Sequence, residues 1–313
     1  MKILCLGLVD YDITLPLENY PEENTKNRLT KQIECGGGQT ANAACLLAKY
    51  GEEVYISGLI GNDLYGKNII NEFNSFNVNT KYLQMSDDIN TSVSHILVNL
   101  QNGSRTTLTV KEPHKMNNMD IDLKPDIILI DGQEEDMARK VLKENPEAIK
   151  IIDAGSYRQP IISLCSSCDL IIASMDYLEG FYDKKIKTEE ELKDAYMTMK
   201  AYYDKELVVT LGSLGSIGFI DGEAKIVPSL KVKATDSTGA GDIFHGAFIY
   251  GLIHGMSLKD NLRFSNIAGA LSVDKIGARN SFPELSEVLE VYEKGMWYFI
   301  YRFTSNDRFT WFW

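Results

Sequence analysis

The sequence predicts an α/β fold with a mostly parallel central sheet and helices on both faces. Two observations carry this prediction. From residue 126 onward short apolar runs alternate with helical patterns, the order expected of βα units. The runs themselves, DIILI at 126–130, KIIDA at 150–154 and DLIIAS at 169–174, are apolar almost throughout, which suits strands buried on both faces. With 313 residues the chain can form one large core, so a single domain spanning 1–313 is expected.

The elements follow in order. Ile3 to Val9 is a compact apolar run that reads as the first strand. Positions 11–35 are mixed and polar, with Pro16 and Pro21, and read as an excursion outside the core. GGGQTANAACLLAKYG at 36–51 is a glycine run followed by a helical pattern that Gly51 closes. Val54 to Ser57 is a second strand, and GLIGNDLYGKNIINEF a turn and helix. Residues 91–99 and 106–110 alternate in polarity around Asn102-Gly103, a strong hairpin signal. After DIILI comes a helix, EEDMARKVLKEN, and a short helix near Ile161 follows KIIDA. Residues 188–203 are helical and ELVVTLG at 206–212 is a strand. The final stretch, 291–313, is dense in aromatics and reads either as a last docking element or as an oligomer contact.

Composition narrows the function. A net charge of -12 argues against general binding to nucleic acid backbones but leaves room for a local basic cleft. Cys165 and Cys168 form a CxxC with no second pair at zinc-site spacing, so two packed or surface thiols are expected. Asp10 and Asp12 stop the N-terminal apolar run without a cleavage pattern, and no membrane-length apolar segment occurs; a cytoplasmic protein is expected. In parallel sheets active sites lie outside the carboxyl ends of the strands, which selects Asp10, Asp131, Asp153, Ser174 and Gly212 as cleft neighbours.

The segment DSTGAGD carries the most specific chemistry. Asp236 and Asp242 flank Gly239-Ala240-Gly241 just before an apolar helical pattern. The first amides of a helix lack intrahelical partners and attract anions. Taken alone, the segment is either an Asp-capped loop–helix junction or an anion-binding turn.

Several segments together resemble the ribokinase-like (PfkB) carbohydrate kinases. DSTGAGD at 236–242 is similar to that family's carboxy-terminal signature, and the 31 residues from Gly36 to Gly66 to its amino-terminal one. GLVD ending at Asp10, TLGSLG at 210–215 and IAGALSVDKIGARNSFP from Ile267 resemble its opening strand, nucleotide-side loop and adenine-side element. The resemblance runs from about residue 3 to 290 and implies a three-layer α/β/α sandwich with a small β lid, formed here by 11–35 and 88–110. It implies transfer of the ATP γ-phosphoryl group to a sugar hydroxyl. Asp242 would be the base, and Gly239, Ala240 and Gly241 the anion hole. Asp10, Gly37, Gly38 and Asn42 would hold the sugar. Ser174, Thr210, Gly212, Gly215, Asn266, Ala270 and Gly277 would line the nucleotide side. Mg²⁺ would travel with ATP, helped by Asp176, and Asp236 would belong to a monovalent-cation (K⁺) site. Dimers would form through the lid.

Departures from the pattern shape the substrate. Gln39 stands where ribokinase-type sequences often carry lysine. In ASMDYLEG, Ser174 and Tyr177 replace the family's Asn-x-x-Glu, with Glu179 out of register. Together with His245 in GAGDIFHGAF, this resembles the ketohexokinase and sulfofructose kinase branch. A ketose-like or acidic sugar is therefore expected in place of ribose. Arg105, after the hairpin turn, or Arg158 would meet an anionic substituent; an exposed surface charge is the competing reading of each. His245 is expected to be packed or capping. A nucleoside kinase of the same fold and a non-catalytic metabolite-binding regulator are the competing readings.

Overall fold

The computed structural model describes residues 1–111 and 115–294. The aromatic stretch from residue 295 therefore lies outside the described residues. The chain opens with β1 (Lys2–Leu6), whose alternate residues serve two cores. Ile3 and Cys5 face one side of the sheet, Leu4 and Leu6 the other. β2 (Asp10–Leu17) and β3 (Ile33–Gly37) leave that sheet and pair antiparallel with each other. α1 (Gln39–Lys49) returns the chain to the core and is almost wholly buried. Then come β4 (Glu53–Gly61), α2 (Leu64–Ser75) and β5 (Asn79–Ser86). Asp63 caps α2 by accepting the Gly66 amide at 2.8 Å. β6 (Val93–Asn99) and β7 (Arg105–Val110) form the hairpin expected from Asn102-Gly103.

The second half alternates as predicted: β8 (Ile127–Ile130), α3 (Glu135–Glu144), β9 (Ile149–Ala154), α4 (Gln159–Cys165), β10 (Leu170–Ser174), α5 (Met175–Tyr182), α6 (Glu189–Tyr203) and β11 (Glu206–Thr210). β12 (Ser216–Ile220) and β13 (Glu223–Val227) add an antiparallel hairpin. α7 (Ala240–Ile253), α8 (Leu258–Leu271) and α9 (Leu285–Lys294) complete the described chain.

Among the described residues the main sheet has nine strands in the order β13-β12-β11-β10-β9-β8-β1-β4-β5. From β11 to β5 every pairing is parallel. One face is covered by a core that includes α1, α7 and α8, the other by one that includes α3, α5 and α6. This is the expected three-layer sandwich. A smaller four-stranded sheet, β3-β2-β6-β7, forms the lid.

Some boundaries differ from the sequence reading. β1 ends at Leu6, not Val9, because Gly7 and Leu8 turn the chain toward the lid while Leu8 donates its amide to Asp131. Residues 10–17 are a strand, not irregular excursion; Tyr11 and Ile13 are buried against the main core. All five cysteines are buried free thiols, and Cys165 contacts the Tyr177 hydroxyl at 3.4 Å. No helix of the described residues is long and apolar enough to cross a membrane.

Candidate functional site

The site forms where the start of α7, the start of α1 and the root of the lid meet. Gly239 precedes α7 with φ 77°, a left-handed conformation, and a Cβ there would lie 2.7 Å from the Ala278 Cβ. That turn leaves the first amides of α7 without intrahelical partners. A Cβ on Gly241 would meet nothing, so there is open space beside this first turn; the Ala240 amide lies 3.4 Å from the Ser237 carbonyl. Asp242 lies in this first turn and is half-buried. Gly38 begins α1 in the same way, with φ 97° and the Leu8 carbonyl oxygen 2.0 Å from where a Cβ would sit. One helical turn on, Asn42 donates from Nδ2 to the Asp242 carboxylate at 2.8 Å. The two glycine segments, 200 residues apart in sequence, thus share one hydrogen bond.

Electrostatics at this junction are unusual. The Asp242 carboxyl is pushed up to about 7, chiefly by burial and then by the charge of Asp153; the Asn42 bond, His245 and Arg105 pull it back down. Asp153 and His245 are buried neighbours, 3.6 Å apart. The imidazole Nδ1 donates to the Gly241 carbonyl at 2.7 Å, so His245 braces the helix start. This is the packed role expected of it.

Asp10 begins β2 and takes a hydrogen bond from Ser94 at 2.7 Å. Its other oxygen is buried and unpartnered, as is Oε1 of Gln39. Asp12 was not singled out from the sequence, yet it stands two residues along the same strand and therefore on the same face. A Cβ on Gly37 would meet both carboxylates at 2.6 Å. Burial, then the charge of Asp10, pushes the Asp12 carboxyl up to about 8. Burial also raises Asp10, against the Ser94 bond and the nearby Arg279 charge.

Arg279 and Glu72, an ion pair at 3.0 Å, were also missed by sequence reasoning. The Arg279 guanidinium is buried; it donates to Asn42 Oδ1 at 3.1 Å, to Glu72 at 3.0 Å and to the Gly37 carbonyl at 3.2 Å. It also lies over the Phe73 ring. The available signal was the one charged residue, an arginine, in the closing element GARNSFP.

Arg105 projects from the lid to Ser237, donating to its carbonyl at 3.1 Å and its hydroxyl at 2.9 Å. The Gly103 carbonyl accepts both the Ser237 amide and the Ser237 hydroxyl. The hairpin tip is thereby fastened to the segment that leads into α7. Arg158 lies apart from this contact; it donates to the Asp131 carbonyl at 3.4 Å. Asp131 gathers the Leu8 and Gln133 amides and the Thr40 hydroxyl beneath the site.

The remaining candidates lie along the carboxyl ends of the later strands. Ser174 caps α5 through the Tyr177 amide and donates to the Gly155 carbonyl, both at 3.0 Å. Thr210 is its partner in register on β11. Gly212 is exposed, whereas Gly215 packs against Val227, and Asn266 donates to the Val227 carbonyl at 2.9 Å. Ala270 lines a cavity of about 640 Å³ with Val232, Thr235 and Phe282. Asp236 accepts from Thr238 and, at 2.9 Å, from the Gly277 amide, which ties the two loops together. Asp176 is exposed in the first turn of α5. Tyr177 is fully buried against Tyr203, and Glu179 is engaged by Lys185 and the Ile186 amide. Neither stands ready for a metal.

Comparison with known proteins gives the family and the fold. The model of the pfkB family of carbohydrate kinases matches residues 1–285. A ribokinase of Lactococcus lactis is 31% identical over 303 residues, covering 92% of this chain and 95% of the relative. The structure of Arabidopsis thaliana ribokinase complexed with ribose and ATP superposes with a TM-score of 0.76 at 25% identity, covering 93% and 98% of the two chains. The Thermotoga maritima ribokinase shares the fold, with a TM-score of 0.77 at 24% identity over 94% of this chain and 99% of that one.

Proposed function

The chain belongs to the pfkB family of carbohydrate kinases, and from that membership we propose that it transfers the γ-phosphoryl group of ATP to a hydroxyl of a neutral polyhydroxylated sugar. The observation that carries this reading is the Asn42–Asp242 hydrogen bond, which joins the sugar-side helix start to the phosphate-side one. Asp242 takes the hydroxyl proton while the sugar oxygen bonds to phosphorus and the bond to the ADP oxygen breaks. A carboxyl near 7 is well matched to that task. The amides of Gly239, Ala240 and Gly241 stabilise the charge on the moving phosphoryl group.

Sugar hydroxyls are donors, and the floor beneath them is rich in acceptors. Asp10, Asp12 and Gln39 Oε1 suit them, with Gly37, Gly38 and Asn42 beside. Of the ketose-like and acidic sugars expected from the sequence, this floor favours the neutral one, since Asp10 and Asp12 accept from sugar hydroxyls best as carboxylates and an anion there would oppose their ionisation. The relatives named ribokinase bring ribose itself into the panel. Arg105 contributes at the mouth of the site, where it meets Ser237 and shares the field of Asp242. The test compares kcat/KM on ribose, fructose, 2-keto-3-deoxygluconate, fructose phosphates and sulfofructose, with the parent and Arg105→Ala proteins. Neutral sugars are expected to lead by tenfold or more. An acidic sugar leading, with the advantage lost in Arg105→Ala, would overturn the neutral assignment and return Arg105 to an anion-binding role.

ATP occupies the side formed by Ser174, Thr210, Gly212, Gly215, Asn266, Ala270 and Gly277. Among the described residues no cluster of three or more His, Cys, Asp or Glu is placed to hold a metal ion. The donor set instead fits Mg²⁺ carried by the ATP phosphates and water, with Asp176 in the outer shell. Asp236 retains lone pairs for a monovalent cation such as K⁺ beside the turn. In Asp176→Ala the Mg²⁺ concentration for half-maximal rate is expected to rise several-fold at saturating sugar, with the sugar KM unchanged. An unaltered Mg²⁺ titration removes Asp176 from that shell. A homodimer through the lid is supported by β7, exposed along its length with Leu108 57% and Val110 67% accessible.

A further inference from the structure

We propose that Arg279 is a positioning residue for the phosphoryl-transfer site: it locks the Asn42 side-chain amide in the one orientation that presents an N–H to Asp242. This inference rests on the reading of Asp242 as base.

Arginine Nε–H can only donate. Its partner at 3.1 Å must therefore be the Asn42 oxygen, which leaves the Asn42 nitrogen facing Asp242. A flipped amide would set donor against donor at Arg279 and acceptor against carboxylate at Asp242. The orientation follows from donor chemistry alone, whichever way the amide is first drawn.

Arg279 is itself held from three sides. Glu72 on α2 pairs with Nη1 at 3.0 Å, and both Glu72 oxygens accept the Gly36 amide, at 3.0 and 2.9 Å. The Gly37 carbonyl takes Nη2, and the Phe73 ring supports the guanidinium face. A Cβ on Gly36 would lie 2.0 Å from Nη1, so the backbone there closes directly on the guanidinium. Only 2% of the Arg279 side chain is accessible. Such a fork, paired and desolvated, has one geometry to offer. The chain Glu72–Arg279–Asn42–Asp242 thus runs from the back of α2 to the helix start of α7.

Arg279→Lys tests this, because lysine keeps the charge and loses the fork. Asp153, His245, Arg105 and Asp12, which also face Asp242, stay unaltered in that variant. The Asp242 carboxyl is titrated by ¹³C NMR in the ligand-free protein, its resonance identified by its loss in Asp242→Asn. Arg279→Lys is expected to raise the midpoint by on the order of one unit, since a hydrogen bond to the ionised form is lost. Asn42→Ala should raise it comparably, and the double variant no further than Asn42→Ala alone. The acid limb of kcat, measured with ATP and D-ribose or fructose, whichever the parent turns over faster, should move by the same amount. An unmoved midpoint in Arg279→Lys, or shifts that add in full in the double variant, overturns the proposal. Glu72→Gln provides a second route if Arg279→Lys folds poorly, with a smaller shift in the same direction expected and no shift counting against the chain. Failure of the base reading is separable: Asp242→Asn would then retain turnover, whereas the NMR coupling reports on Arg279 without any turnover.

Discussion

Asp242→Asn is expected to lower kcat by about 10²–10⁴-fold, the range that removing a positioned general base produces. Asparagine keeps the size of the side chain and can still accept from Asn42 Nδ2, so the 2.8 Å contact survives in kind. What disappears is the capacity to take a proton. The fold should not suffer. The Asp242 carboxyl titrates near 7 in the folded chain and near 3.8 when unfolded, so the folded state holds the extra proton. A raised carboxyl of this kind makes stability fall as pH rises from about 4 through 7. The neutral amide escapes that loss. At pH 8 the variant should therefore melt at the parent temperature or above it, with ATP affinity within a few-fold of the parent. Steady-state kinetics, calorimetric melting and ATP titration provide the three readouts. Turnover within a few-fold of the parent would remove Asp242 as base, and a lowered melting temperature would contradict the direction of the buried-carboxyl shift.

Much of the fold was legible because buried parallel strands write continuous apolar runs. DIILI, KIIDA and DLIIAS became β8, β9 and β10 with shifts of one residue at most. β5 was not read, since NTKYLQMS lies at the edge of the sheet and alternates too weakly to stand out. The β12–β13 hairpin had a usable signal that was passed over. Asp221 and Gly222 form its turn, both with positive φ, 52° and 85°, the conformation that Asp-Gly pairs favour. In the site, glycine-rich turns were conspicuous and long-range partners were not. Gly38 and Gly239 announce helix starts by composition alone. Arg279 is 237 residues from Asn42, and Glu72 is 207 residues from Arg279. No local pattern specifies such a pairing; it exists only once α1, α2 and the closing element are packed. Asp12 lay between these extremes. The alternation in DYDIT puts it on the face of Asp10, but only if the segment is first recognised as a strand.

Sugar affinity is expected to fall by about 10–100-fold between pH 8.5 and 6, with protons released on binding. The cause is the pair Asp10 and Asp12, two carboxyls on one face of β2, enclosed by Gly37 and the lid. With the site empty, burial raises both carboxyls, and the charge of Asp10 raises Asp12 further, to about 8. Sugar hydroxyls donate hydrogen bonds, which favour the ionised forms and lower those values in the complex. Binding near neutral pH must then expel a proton, and each unit of pH below the free-site value costs up to tenfold in affinity per group. The sign is opposite to that for a histidine clamp, where acid would strengthen the hold on an anion. Calorimetric titration of D-ribose or fructose, in buffers of different ionisation enthalpy, reads the proton count directly. Asp12→Asn should flatten the pH dependence and weaken binding at pH 8.5 by tenfold or more. Affinity that is level from pH 6 to 8.5 in the parent, with no buffer-dependent enthalpy, would mean that Asp10 and Asp12 do not meet the sugar as ionised acceptors.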